Sequence, residues 1–333
     1  MQRHSLFALS TLDGFVKMTS AVAEVFSEGA FFKYRIMLEI QWLRRLASLG
    51  QIPQMPSISI AANAALETII RDFSEEDAKA IKQMDGRDGK GVEYFIKKKM
   101  SGHPELHNLA EFIHFGCTSE DINNLAYGLM ITKGRNDILV PAIIDLVKAL
   151  TQTTMDKELC RFAERLRDQV NKLYIIKIKG KLNGERDGHS TLKSACPAVD
   201  WEKVCEDFVV TQGLTWNGFT AHIEPHDYIV EILDTVKHIN NILRGCSRDM
   251  LRSNKGTEGV DYTEGNLGMA NALMAGISDK LPISRLQRDL SDSTVLRNIG
   301  IAFGHSLLAY DSLIASLAKL NINSVEITHR LLQ

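Results

Sequence analysis

Apolar residues recur at spacings of three and four over most of the chain, the period of helices that bury one face. The stretch FFKYRIMLEIQWLRRLASLG (31–50) carries this pattern and ends at Gly50, a residue suited to a left-handed helix C-cap. Ser74-Glu-Glu-Asp77 has the spacing of a capping box and predicts a helix opening there. Thr118-Ser-Glu-Asp121 reads the same way. The residues after it, INNLAYGLMITKGRNDILVPAIIDLVKALTQTT, predict one long helix or two joined near Pro141. Residues 158–180 continue at helical spacing, although KLYIIKIKG (172–180) has the composition of a strand. From Val295 to Leu320 nearly every face is apolar, with no polar face for water. That predicts a helix buried in a large bundle or between subunits, where Gly300 and Gly304 let a neighbouring helix approach closely.

Three stretches break the pattern. MDGRDGKGVEYF (84–95), NGERDGHSTLKSACPAVDW (183–201) and SNKGTEGVDYTEGNLG (253–268) are rich in Gly and charge and predict loops. With strand signals sparse and only 7 prolines, the fold class is all-α.

Composition narrows the function. Hydrophobic residues make up 44% of the 333 residues and charged residues 24%, as in a globular chain. The net charge of -2 argues against partners held by bulk electrostatics, so neither nucleic acid nor an acidic membrane surface is expected. The longest uncharged apolar run, near Asn298–Tyr310, is shorter than the roughly 20 residues of a membrane span. No signal peptide is read at the N-terminus, and the five cysteines are scattered. The expected compartment is the cytoplasm.

Candidate chemistry gathers in four places. In LPISRLQRDLSDSTVLRNIG (281–300), a helix starting at Asp289 or Ser291 puts Arg288 in the approach loop and Ser293 in the first turn. Arg297 then lies one turn further on the same face, and the three make a cradle for a phosphate or carboxylate. The bland alternative is a capped helix with arginines in surface ion pairs. In FIHFGCTSEDINN (112–124), Thr118 and Ser119 stand at a helix start, unless Thr118 is only an N-cap and His114 a satisfied core histidine. GKLNG (180–184) offers Lys181 and Asn183 at a helix-to-loop junction. HIEPHDY (222–228) packs His222, Glu224, His226 and Asp227 together. Pro225 interrupts any helical ligand face, so pairing of Glu224 with a neighbouring histidine is preferred to a metal site. The chain has no Walker A, GxGxxG, GxSxG or HExxH motif, and neither metal nor cofactor is expected.

Several of these segments together resemble adenylosuccinate lyase of the fumarase/aspartase superfamily, most closely its bacterial-type branch. They are FSEGAFFKYRIMLEIQWLRRLA, FSEEDAKAIKQM, VEYFIKKK, PELHNLAEFIHFGCTSEDINNLAYGLM, GKLNG, IEPHDYIVEILD, TEGNLGMANALM and LPISRLQRDLSDSTVLRN, in family order along most of the chain. The resemblance implies a small helical N-terminal domain (1–105) and a long central helical bundle (106–333) that assembles as a homotetramer. A third, C-terminal helical domain of the family is expected to be absent after Gln333. The implied reaction is β-elimination of fumarate from adenylosuccinate, leaving AMP, with the succinyl carboxamide ribotide of purine synthesis cleaved likewise.

By matching motifs, the substrate-binding residues implied are Thr118, Ser119, Lys181, Asn183, Glu264, Asn266, Arg288, Ser293 and Arg297. The departures fall on catalytic motifs. The family's Ser-Ser-x-Met-Pro base loop is replaced by LRSNKGTEGVDY, where Ser253 lacks that context and is not assigned as base. MDKELCRF runs through where a Thr-His-Gly-Gln acid motif belongs. Asp13-Gly14-Phe15-Val16 and the glycine-rich 86–91 stretch replace two further motifs, and His222 replaces a glutamine. No catalytic group is therefore fixed by the resemblance; His189 and His222 are the candidate substitute acids. The alternative is a catalytically impaired homologue that binds nucleotide or co-assembles as a regulatory subunit.

Overall fold

Periodic apolar faces close into helices throughout the computed structural model, which describes residues 16–52, 54–84, 90–152, 157–184, 189–220, 222–252, 259–283 and 291–331. The first helices are α1 (Val16–Phe26), α2 (Glu28–Leu49), α3 (Ile60–Arg71), α4 (Glu75–Met84), α5 (Gly91–Met100) and α6 (Pro104–Leu109). Ser27 caps α2 at its start and Gly50, at φ 62°, ends it. The box at Ser74 forms: Asp77 N–H donates to the Ser74 hydroxyl, and Ser74 N–H donates to the Asp77 carboxylate. Helices α2 to α6 pack on one another, and α2 also runs against α7 (Ser119–Lys133).

Past α7 the chain stays helical. A π-helical stretch, Gly134–Leu139, joins it to α8 (Val140–Gln152). Pro141 has no N–H to give the helical ladder, and the wider π turn just before it absorbs the mismatch. Then come α9 (Lys157–Ile175), α10 (Ser190–Ala195), α11 (Trp201–Thr211), α12 (Asp227–Arg252), α13 (Val260–Lys280), α14 (Ser291–Leu296) and α15 (Ile299–Leu331). Helices α8, α9, α12, α13 and α15 pack into the bundle, with α1 laid on α15. Their core holds Leu166, Leu243, Leu267, Phe303, Leu313 and many like them, all shut off from solvent.

Several sequence expectations need correction. The helical pattern of 158–180 ends at Ile175, and β1 (Lys179–Gly180) pairs in parallel with β2 (Thr215–Trp216). The isoleucine-rich run follows its strand composition once a partner segment lies beside it. The loop expected over 84–95 gives way to α5 from Gly91, that over 183–201 contains α10, and that over 253–268 becomes α13 from Val260. In the last case Gly259, at φ 92°, turns the chain into the helix, whose inner side packs against α12 and α15. The apolar helix expected over 295–320 is broken at Arg297–Asn298. It also has an outer edge, where Asp311, Ala315, Ala318 and Lys319 are exposed. By length and composition Asp292–Leu320 could cross a membrane, but 61% of its most apolar window is buried in the bundle, as in a core helix.

Candidate functional site

The approach to α7 turns sharply, with His114 and Gly116 both in the left-handed region (φ 65° and 70°). Glycine takes this conformation freely, whereas His114 is held in it by α2. Glu39 accepts a hydrogen bond from the His114 backbone N–H at 3.0 Å and lies 2.6 Å from Nδ1. One turn on, on the same face of α2, Trp42 Nε1 donates to the Phe115 carbonyl at 2.9 Å. Glu93 of α5 stands 3.7 Å from His114 Nε2. Burial pulls the imidazole's pKa down, but the hydrogen bond and charge of Glu39, aided by Glu93, outweigh it and leave it raised. The His114 ring, set between Glu39 and Glu93, thus fixes the segment leading into Thr118.

Thr118 caps α7 in a full capping box. Asp121 N–H donates to its hydroxyl at 3.3 Å, and Thr118 N–H donates to Asp121 Oδ2 at 2.7 Å. The other oxygen of Asp121 is used from below. Lys181 Nζ donates to Asp121 Oδ1 at 3.0 Å and to Asn183 Oδ1 at 2.9 Å, and Asn183 N–H donates to Asp121 Oδ1 at 3.1 Å. Both side chains of the Lys181–Asp121 pair are wholly buried. Asn124 locks the same segment: Lys181 N–H donates to its Oδ1 at 2.9 Å, and its Nδ2 donates to the Lys181 carbonyl at 3.0 Å. Two motifs 60 residues apart thereby form one rigid floor. The Thr118 hydroxyl donates to Asp121 Oδ2 at 2.9 Å and so serves as the N-cap; beside it, the half-buried Ser119 and the amides at the start of α7 suit a carboxylate.

The wall is the turn before α12. Asn217 Nδ2 donates to both carboxylate oxygens of Glu224, at 3.1 and 3.0 Å, so Glu224 takes an amide where a histidine was expected. Glu224 N–H donates to Glu120 Oε1 at 3.4 Å. His226 Nε2 is 3.9 Å from the same oxygen, too far for a hydrogen bond. Burial pushes His226 down to about 4, so the ring is neutral at pH 7 and this contact is not an ion pair. Burial also pushes the Glu120 carboxyl up to about 7, with Lys181 opposing it. Glu224 is likewise raised by burial.

The structure therefore gathers Thr118, Ser119, Lys181 and Asn183 at one place, with His189 beside them. His189 is buried, its Nε2 lies 2.9 Å from the Leu182 carbonyl, and its N–H donates to the Asn183 carbonyl at 3.0 Å. His222 is half-exposed in the turn that Glu120 holds. Glu264 and Asn266 form a separate group on α13. Glu264 accepts from Arg248 Nη2 at 2.6 Å and pairs with Arg244 at 3.6 Å, while Asn266 Oδ1 lies 2.9 Å from His305 Nδ1.

The cradle is seen in part. A helix does start at Ser291, but Arg297 follows its end, bonded through its N–H to the Ser293 carbonyl at 3.4 Å. Both residues are exposed. The Arg297 guanidinium lies 3.5 Å from Glu28 and acts on the Tyr127 hydroxyl of α7. Arg288, Ser253 and residues 13–15 lie outside the described residues.

Sequence reasoning missed Glu39, Glu93, Asn124, Asn217 and the wall role of Glu120. One signal existed: Arg35 and Glu39 sit in the buried stripe of α2, where charge demands a partner.

A lyase family model matches residues 14–160, and an adenylosuccinate lyase C-terminal model matches residues 284–333. Adenylosuccinate lyase of Escherichia coli (strain K12) is 38% identical over 370 residues, covering 97% of this chain and 81% of that protein. That of Haemophilus influenzae is 38% identical, covering 100% and 83%. The first alignment is longer than this chain's 333 residues, so the relative carries segments without a counterpart here. Among solved structures, β-carboxy-cis,cis-muconate cycloisomerase from Acinetobacter calcoaceticus superposes with TM-score 0.70 at 20% identity, covering 92% of this chain and 78% of that one. A fumarate lyase from Mesorhizobium sp. BNC1 does so with TM-score 0.70 at 13% identity, covering 95% and 75%. At such identities these two speak for the fold alone.

Proposed function

The chain belongs to the adenylosuccinate lyase family, a family of carbon–nitrogen lyases, and from that premise we propose that it cleaves adenylosuccinate to AMP and fumarate. The observation that carries this reading is the match to curated lyases along nearly the whole chain. The reaction takes a proton from the carbon beside a carboxylate, breaks the C–N bond, and returns a proton to the departing nitrogen. The succinyl carboxamide ribotide presents the same bond.

In this reading Ser119 and the amides beside the Thr118 cap hold a substrate carboxylate at the start of α7. Lys181 and Asn183 support them from beneath, their polar atoms already engaged with Asp121 and Thr220. Arg297, with Ser293 and Arg288, takes the phosphate or second carboxylate. Glu264 and Asn266, grouped apart on α13 with Arg248 and His305, are assigned to the substrate by the family resemblance alone. Of the two histidines, His222 is the better proton donor, being half-exposed, whereas the His189 ring is buried against the Leu182 carbonyl. The base is unassigned. The active form is a homotetramer, supported by the open outer face of α13, where, among the described residues, nothing beyond the helix's own backbone lies within 4 Å of a Cβ placed on Gly265, Gly268 or Gly276. Five free cysteines support a cytoplasmic setting.

The test follows fumarate release from adenylosuccinate by ultraviolet absorbance. Turnover is expected, and its absence at high enzyme concentration refutes the proposal. His222→Ala should then lower kcat by about 10²–10⁴-fold, the usual loss for a general acid. An equal effect from His189→Ala would remove the distinction between the two.

A further inference from the structure

Two halves of the candidate site meet at two side chains, Asn183, whose Nδ2 donates to Thr220 Oγ1 at 2.9 Å just ahead of the turn, and Glu120, which reaches the turn itself. The floor is the start of α7 with Lys181 beneath it; the wall is the His222–His226 turn. Glu120 belongs to the first and its Oε1 takes the Glu224 N–H of the second, at 3.4 Å across 104 residues of sequence. The turn has other reasons to need an anchor. His226 adopts φ 59°, a conformation that costs a non-glycine residue energy. The buried His226 Nδ1 and Tyr228 hydroxyl find no hydrogen-bond partner among the described residues, so these two side chains do not hold the turn down. Asn217 fixes the Glu224 carboxylate and is itself tied to β1 through its N–H, which donates to the Gly180 carbonyl at 2.9 Å; Glu120 is the contact from the turn to α7.

We infer that Glu120 is a positioning residue for the lyase site: it clamps the His222–His226 turn against the start of α7 and so sets where His222 stands relative to Thr118 and Ser119. This rests on the proposed function for its kinetic consequence, though not for the clamp itself. Six groups face Glu120 or feel its charge: Asp121 and Tyr127 on its own helix, Lys181 below, and Glu224, His226 and Tyr228 on the wall. The neutral carboxyl is a weaker acceptor for the Glu224 N–H than the carboxylate. Burial places the exchange between the two forms near 7. The clamp tightens as pH rises through that value.

Hydrogen exchange of the full chain reads the clamp directly. Relative to its intrinsic rate, exchange of the Glu224 amide should slow between pH 6 and pH 8. Glu120→Ala should speed it by about tenfold, the loss of one hydrogen bond to a charged group. Glu120→Gln keeps an acceptor of the same shape and should keep the amide protected while abolishing the pH step. An unchanged amide in Glu120→Ala, or a surviving pH step in Glu120→Gln, overturns the inference whether or not the protein turns over substrate. With adenylosuccinate as substrate, Glu120→Ala should lower kcat more than it raises KM, because it displaces the proton donor His222, and Glu120→Gln should remove the inflection near 7 from the kcat/KM profile. A wild-type chain with no turnover but a pH-stepped Glu224 amide sinks the proposed function and leaves the clamp standing.

Discussion

Removing Lys181 leaves Asp121 charged in a place no water reaches. Both side chains of the pair are wholly buried. Breaking one partner of such a pair costs about 3–5 kcal/mol, far more than a surface ion pair contributes. Lys181→Ala should lower the unfolding free energy by that amount, read from the urea midpoint and slope, and a variant as stable as the wild type in urea would show the pair to be dispensable. Three other buried groups set how stability follows pH. His114 has a raised pKa in the fold, so its contribution is complete below its unfolded value near 6.5 and is lost as pH climbs through the folded one. Glu120 is also raised, to about 7 from 4.5; the unfolded chain releases that proton first, so its contribution falls between those two values. His226, held at about 4 in the fold, adds stability as pH rises from 4 to 6.5 and offsets Glu120 there, so the melting temperature should decline chiefly from pH 6.5 to pH 8. Glu120→Gln should flatten the lower part of the decline and His114→Gln the upper part. A profile unchanged in both variants would mean neither group carries the dependence.

At the scale of elements, the tightest constraint on the site lies where α10 meets the loop ahead of α7. Gly116 has φ 70°, and a Cβ there would run into the Leu192 side chain. Leu192 is buried and has no room to retreat. Gly116→Ala should cost about 1–3 kcal/mol and shift the Thr118 cap, weakening AMP binding in calorimetry. Unaltered affinity and stability would show that α10 yields instead. Much of this architecture was legible beforehand. The caps at Ser74 and Thr118 are local, set by residues three apart, and formed as read. The C-cap at Gly50 is local too. What escaped depends on distant partners. Ile176–Gly180 reads equally as helix or strand until Thr215–Trp216 lies beside it. Asp121 gives no hint in sequence of a lysine sixty residues on, nor Glu39 of a histidine across the fold. Glycines mark an end for α2 but a beginning for α5 and α13, and composition does not tell these apart.

The bundle as a whole presents one face that a lone chain leaves open. Helix α13 is wedged between α12 and α15 on its inner side, where Leu267, Ala270 and Met274 are buried. Its outer side carries Tyr262 and Met269, 40% and 53% exposed, between glycines with nothing near them. Large apolar side chains alternating with glycine let another helix come close and bury both. A single α13 exposed to water gains nothing from this pattern, since each interior glycine costs a helix about 1 kcal/mol relative to alanine. The homotetramer proposed above would make the glycines tolerable by bringing the central helices of neighbouring chains together. Light scattering should give a mass close to four times 37.2 kDa. Met269→Arg places a charge on this face without disturbing the inner one, so it should lower the mass while helix content by circular dichroism is unchanged. If the wild-type chain instead disperses at 37.2 kDa, or Met269→Arg assembles as fully as its parent, α13 is not the joining surface.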